Sequence, residues 1–206
     1  MNSAFTLEFN RVSLARGPRP IVDGFSLEVK GGDLVWLRGD NGMGKTSLLR
    51  LAAGFLKPQD GQMLWSQNGH AVNPASICAF QGHRDALKPN LTIAENLSFW
   101  GELYGQQTAI EDAISRVNLS AQSGQKAGTL SAGQSRRAAL AHLQIANKPI
   151  WIMDEPGAAI DASGTELIDD LIRSHIEKGG AALLASHAAP RALASSARQI
   201  MLRAAP

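Results

Sequence analysis

Leu34-Val-Trp-Leu-Arg-Gly-Asp-Asn-Gly-Met-Gly-Lys-Thr46 is the stretch whose reading decides the fold. Its first five residues, Leu34–Arg38, read as an apolar strand, and Thr46 to Ala53 read as a helix with Gly54 near its end. Between them, Gly39 to Thr46 matches the phosphate-binding loop pattern G-x-x-x-x-G-K-[ST] in full. Glycines at 39, 42 and 44 let successive backbone N–H groups face one anion, and the N-terminus of the new helix adds its dipole. Lys45 is expected to reach the β- and γ-phosphates of a nucleotide, and the Thr46 hydroxyl to ligate Mg²⁺. Asp40, Asn41, Met43 and Ser47 complete the candidate nucleotide contacts around the loop. The pattern by itself does not separate kinases, GTPases and ATPases.

Outward from this loop the chain alternates short β-rich runs with helical stretches, which predicts an α/β fold on a mainly parallel sheet. Pro149–Met153 and Ala181–Ala185 read as buried strands, and Ala132–Ala146 as an alanine-rich helix. Ile93–Tyr104 and Thr108–Val117 read as helices with no strand between them, a helical insertion covering roughly residues 87–146. Thr6–Phe9 and Phe25–Val29 are expected to pair as antiparallel strands at one edge. The expectation is a single domain over 1–206: a P-loop NTPase core of the RecA-like kind, with an antiparallel β edge and an inserted helical subdomain.

Composition bounds the function. The 206 residues are 44% hydrophobic and 18% charged, ordinary for a globular chain. A net charge of +2 is too small to point to nucleic acid. The single cysteine, Cys78, lies in the apolar run Ile77–Phe80 and is expected to pack in a strand. Met1–Phe9 lacks a basic stretch followed by an apolar one, so no secretory signal is expected there. No apolar run approaches the roughly 20 residues of a membrane span, so any membrane role is expected to come through a partner.

Ile150-Trp-Ile-Met-Asp-Glu155 ends an apolar strand in two carboxylates. Two acids in a turn are most often just solvated. Beside a phosphate-binding loop, Asp154 is the expected Mg²⁺ partner and Glu155 the general base for the attacking water. Leu130-Ser-Ala-Gly-Gln134 opens the alanine-rich helix with Ser131 as an N-cap candidate, giving a second anion-binding helix end. This pentapeptide resembles Leu-Ser-Gly-Gly-Gln, the signature of ABC ATPases, with Ala132 in place of its first glycine.

That resemblance extends along the chain. Asp161 matches the D-loop aspartate, and His187, after Ser186, matches the switch histidine that contacts the γ-phosphate and positions water with Glu155. The resemblance implies an ATPase that works as a homodimer. ATP and Mg²⁺ sit on the loop of one copy, and Ser131, Ala132, Gly133, Gln134 and Asp161 act in trans from the other. Catalysis would fall to Glu155, His187 and Lys45. The family's adenine-stacking aromatic is replaced here by Arg16, whose guanidinium plane can also stack on a base. The glutamine that usually links Mg²⁺ to the membrane partner is either Gln81, matching Phe-Gln by eye, or His83, matching by distance from Leu91-Thr92.

Arg16, Gly82-His83, Leu87-Lys88 and Gly61-Gln-Met-Leu-Trp65 resemble one subgroup, the haem exporter ATP-binding proteins of cytochrome c biogenesis. Membership would imply integral membrane subunits of a haem-handling complex as partners and a peripheral position on the cytoplasmic side of the inner membrane. There, hydrolysis is linked to release of haem from a periplasmic chaperone. Direct haem binding is not expected, since no Cys-x-x-Cys-His run is present. Three alternatives stay open at this point: another small-substrate ABC transporter, a soluble non-transport ABC ATPase, and a nucleotide-binding scaffold that no longer hydrolyses ATP. A soluble ABC ATPase would usually carry tandem domains or a long coiled-coil insertion.

Overall fold

The computed structural model describes residues 4–158, 160–186 and 195–203. The strands are β1 (Phe5–Arg16), β2 (Arg19–Lys30), β3 (Leu34–Arg38), β4 (Asp60–Gln67), β5 (His70–Ala71), β6 (Cys78–Gln81), β7 (Ile150–Asp154), β8 (Ala181–Ala185) and β9 (Arg198–Met201). The helices are α1 (Lys45–Ala52), α2 (Pro74–Ile77), α3 (Ile93–Tyr104), α4 (Ile110–Arg116), α5 (Ala132–Ala146) and α6 (Ala162–Glu177).

Five strands form one parallel sheet in the order β6-β7-β8-β3-β9. Alternation along each strand sends residues to two cores. Val35, Leu37, Ile150, Ile152 and Leu183 face one side, where Leu48, Leu49 and Leu51 of α1 cover them. Leu34, Trp36, Trp151, Met153 and Leu184 face the other, beneath Leu140 and Leu143 of α5 and Ile168 and Ile172 of α6. Because both faces are covered, the phosphate-binding loop and the acid pair emerge together at the carboxyl ends of β3 and β7.

The antiparallel pair expected near the N-terminus is present within longer strands, with Leu7 opposite Val29 and Phe9 opposite Leu27. It belongs to a separate four-stranded sheet, β2-β1-β4-β5, instead of bordering the parallel one. Arg11 at φ 51 and the register shifts from Phe9 to Ala15 interrupt the period-2 pattern, which hides the full strand length from a sequence reading. Both helices expected within the insertion are present; the second starts as a 3₁₀ turn at Gln107–Ala109 and becomes α4 at Ile110. A capping box, Thr92 with Glu95, starts α3. Cys78 lies in β6 with Sγ 3.7 Å from the Ala52 carbonyl, and burial pushes its pKa up to about 12, so the thiol is inert packing. Among the described residues, no helix is long and apolar enough to cross a membrane.

Candidate active site

The turn from β3 into α1 forces glycine. Gly44 sits at φ 87, and a Cβ there would lie 2.6 Å from Ile21 Cγ2 and 2.9 Å from Val22 Cγ2. Only the smallest residue admits both the left-handed backbone and this close approach. Gly44 also N-caps α1, where, having no side chain, it supplies no side-chain cap to the first turn. The Lys45 ammonium bridges the loop, donating to the carbonyls of Gly39 (2.6 Å) and Asp40 (3.1 Å). Met43 turns the other way and packs on the core.

Asp154 ends β7 beneath this loop, buried, and accepts a hydrogen bond from Thr46 Oγ1 at 2.9 Å. A hydroxyl and a carboxylate are thus paired at the floor from positions far apart in sequence. Glu155 follows in the left-handed region at φ 51, a conformation that costs a non-glycine residue about 1–2 kcal/mol. Its N–H donates to the Ala185 carbonyl at 2.8 Å, tying the end of β7 to the end of β8. Lys45, Thr46, Asp154 and Glu155 line a cleft of about 620 Å³, within the range of small-molecule sites, whereas Asp40 and Met43 do not line it. Asn41, Gly42, Gly44 and Ser47 also line it, and Arg16, Ile21, Arg50 and His83 enclose it from neighbouring segments.

The two candidates for the linking residue separate. His83 lines the cleft, whereas Gln81 is buried and lines a different cavity with Trp100 and His142. Gln81 Nε2 donates to the Gly82 carbonyl at 2.6 Å, and its buried Oε1 has no hydrogen-bond partner among the described residues.

Ser131, Ala132, Gly133 and Gln134 form the N-terminus of α5, with Ser131 and Ala132 exposed, and none of them lines the cleft. Ser131 Oγ accepts from the Gln134 N–H at 3.2 Å, and Gln134 Oε1 accepts from the Ser131 N–H at 2.9 Å. The first and last polar residues of the motif are therefore a reciprocal capping box. Asp161 N-caps α6, accepting from the Gly164 N–H and the Ser163 hydroxyl, and these bonds hold its carboxyl below the usual range. His187 lies outside the described residues. Ser186, just before it, is fixed by its carbonyl accepting from Trp36 Nε1 at 3.0 Å.

Residues 22–158 match the family model for ABC transporters. The chain belongs to the ABC transporter family. It is 41% identical to the cytochrome c biogenesis ATP-binding export protein CcmA of Bradyrhizobium diazoefficiens over 89% of this chain and 92% of that one. The CcmA protein of Rhodopseudomonas palustris is also 41% identical, over 92% and 94% of the two chains. The fold is similar to a solved ATP-binding subunit of an ABC transporter, with TM-score 0.83 and 21% identity over 96% of this chain and 85% of that one. It is likewise similar to an ATP-binding cassette solved as a dimer in a post-hydrolysis state with ADP and Pi, with TM-score 0.82 and 21% identity over 96% and 94%. As an ABC ATPase, the chain binds and hydrolyses ATP.

Two features of this ABC ATPase escape a motif reading. Arg50, in the last turn of α1, lines the cleft. Arg136 is buried in α5, where its guanidinium meets the backbone of the Glu155 turn and of the His83 loop. Helical spacing carried a signal for the second: Arg136 shares a face with Leu140 and Leu143, both buried, so it cannot be a solvated surface charge.

Proposed function

We propose that this ABC ATPase works as a homodimer that binds two ATP molecules between its copies and serves the haem-handling membrane complex of cytochrome c biogenesis. The triphosphate lies along Gly42–Ser47 with Lys45 on its terminal phosphates, and Arg16 stacks on the base at the rim. Mg²⁺ suits this floor, because Thr46 and Asp154 supply two hard oxygen ligands and the phosphates supply others. Among the described residues no group of three or more His, Cys, Asp or Glu could hold a metal, consistent with a cation that arrives with the nucleotide. Held by Thr46 and Asp154, Mg²⁺ would supply charge neutralisation to the phosphates.

Glu155 accepts a proton from the attacking water, and His187, by the family resemblance, contacts the γ-phosphate and positions that water with Glu155. The signature segment supports a site built by two copies: Ser131 and Ala132 are exposed and do not line their own cleft, yet they head a helix whose N-terminus favours an anion. Partner contact is assigned to the surface beside His83. Exposed Phe99 and Leu103 of α3, with Phe99 packed edge-on to Trp100 at 5.2 Å, offer apolar surface to a helix of a membrane subunit. Such a contact would hold the chain peripherally on the cytoplasmic side of the inner membrane.

The observation that carries the choice of complex is 41% identity to CcmA proteins over nearly the full length of both chains. Purification from a gentle detergent extract tests it. The expected co-purifying proteins are integral membrane subunits that handle haem. Recovery of a sugar, amino-acid or metal permease in their place would overturn the haem assignment and leave the ATPase intact.

A further inference from the structure

We infer that Arg136 is a positioning residue for hydrolysis, one guanidinium that locks the Glu155 turn to the His83 loop and to the signature helix. The inference rests on the catalytic reading of Glu155 given above. Arg136 is 2% exposed, and its N–H groups spread over six acceptors from two segments. On the acid-pair side, Nη2 donates to the carbonyls of Asp154 (2.8 Å) and Glu155, and Nε donates to that of Pro156 (3.3 Å). On the other side, Nη1 donates to the carbonyls of Gly82 (2.9 Å) and His83 (3.4 Å) and to Asp85 Oδ1 (2.9 Å).

The placement has a mechanical reason. Glu155 stands at φ 51, so its backbone would relax to an ordinary conformation unless neighbours held it. The Ala185 carbonyl fixes its N–H and Arg136 takes its C=O, so both ends of the residue are clamped. The same planar fork fixes the carbonyl of His83, whose residue lines the cleft opposite Glu155. Because Arg136 rides on α5 below Ser131, movement of the signature end shifts the Glu155 turn and the His83 loop together. A lysine cannot reproduce this, since one ammonium cannot span two sets of carbonyls.

Steady-state hydrolysis and equilibrium ATP binding on the full chain test the inference, with circular dichroism confirming folding. Arg136→Lys is expected to lower kcat at least tenfold while ATP affinity stays within about twofold. In a Glu155→Gln background the same substitution is expected to cause no further loss, because Arg136 acts through Glu155. Asp85→Ala, which loosens the guanidinium without removing it, is expected to lower kcat several-fold and carries the test should Arg136→Lys not fold. Wild-type kcat in whichever variant folds overturns the inference, as do parallel losses of kcat and ATP affinity or fully additive loss with Glu155→Gln. Absence of ATP hydrolysis in the unmodified protein would instead strike at the catalytic reading itself.

Discussion

Thr46 and Asp154 come from different elements, and their 2.9 Å contact is the point where the phosphate loop and the acid strand meet. The hydroxyl contributes little to stability here, since a single hydrogen bond nets about 1 kcal/mol. Its value lies in cation binding. Thr46→Val keeps the shape and removes the oxygen, so it is expected to raise the Mg²⁺ concentration for half-maximal hydrolysis at least tenfold with an unchanged near-ultraviolet spectrum. An unaltered Mg²⁺ dependence would remove Thr46 from the cation site. At this scale the sequence was most legible for the placement of Lys45, Thr46 and Asp154, which the local chain sets and which line one cleft. That His83 and not Gln81 lines the cleft agrees with counting back from Leu91-Thr92, because β6 ends at Gln81 and His83 lies in the loop beyond it. Arg136 was missed, because the carbonyls it holds belong to two turns that only the fold brings together.

Helix α5 carries two tasks at one end. The Ser131–Gln134 box caps it, and the same exposed turn is the surface proposed to meet the other copy's nucleotide. Ser131→Ala removes a cap worth about 1 kcal/mol and should lower Tm by roughly 2–4 °C. Ser131→Asp separates the tasks. Aspartate caps a helix well, so stability should return, but its charge opposes a phosphate and ATP-dependent dimerisation should not. Recovery of both would mean that the signature end does not approach an anion. Helices α3 and α5 were readable to the residue because each has a capping residue and a clear apolar face. The long strands β1 and β2 were not, since bulges shift which face their side chains take. β4 alternates only between exposed and half-buried residues and buries none of them fully, and β9 is mostly exposed, so neither carries a clear apolar face.

Two histidines tie the stability of the whole molecule to pH, His142 on α5 and His175 on α6. His175 stacks on Trp151 with ring centroids 4.0 Å apart, and its Nε2 lies 3.0 Å from the Pro149 carbonyl. His142 packs on Trp100 at 4.3 Å. Burial lowers each pKa from 6.5 to about 4, so the fold holds both rings neutral. Their stabilisation is complete above pH 6.5 and is lost as pH falls towards 4, at roughly 1.4 kcal/mol per unit for each ring. Urea midpoints should therefore fall between pH 7 and pH 5, and His142→Phe should flatten that slope. Equal midpoints at both pH values would contradict this. The mechanism proposed above uses two copies, since the loop and the acids line the cleft and the signature segment does not. The most direct measurement is the mass of Glu155→Gln by light scattering with and without ATP. The expected result is a dimer that forms only with ATP and is abolished by adding Lys45→Ala. A protein that binds ATP yet stays monomeric across the concentration range would contradict the two-copy mechanism.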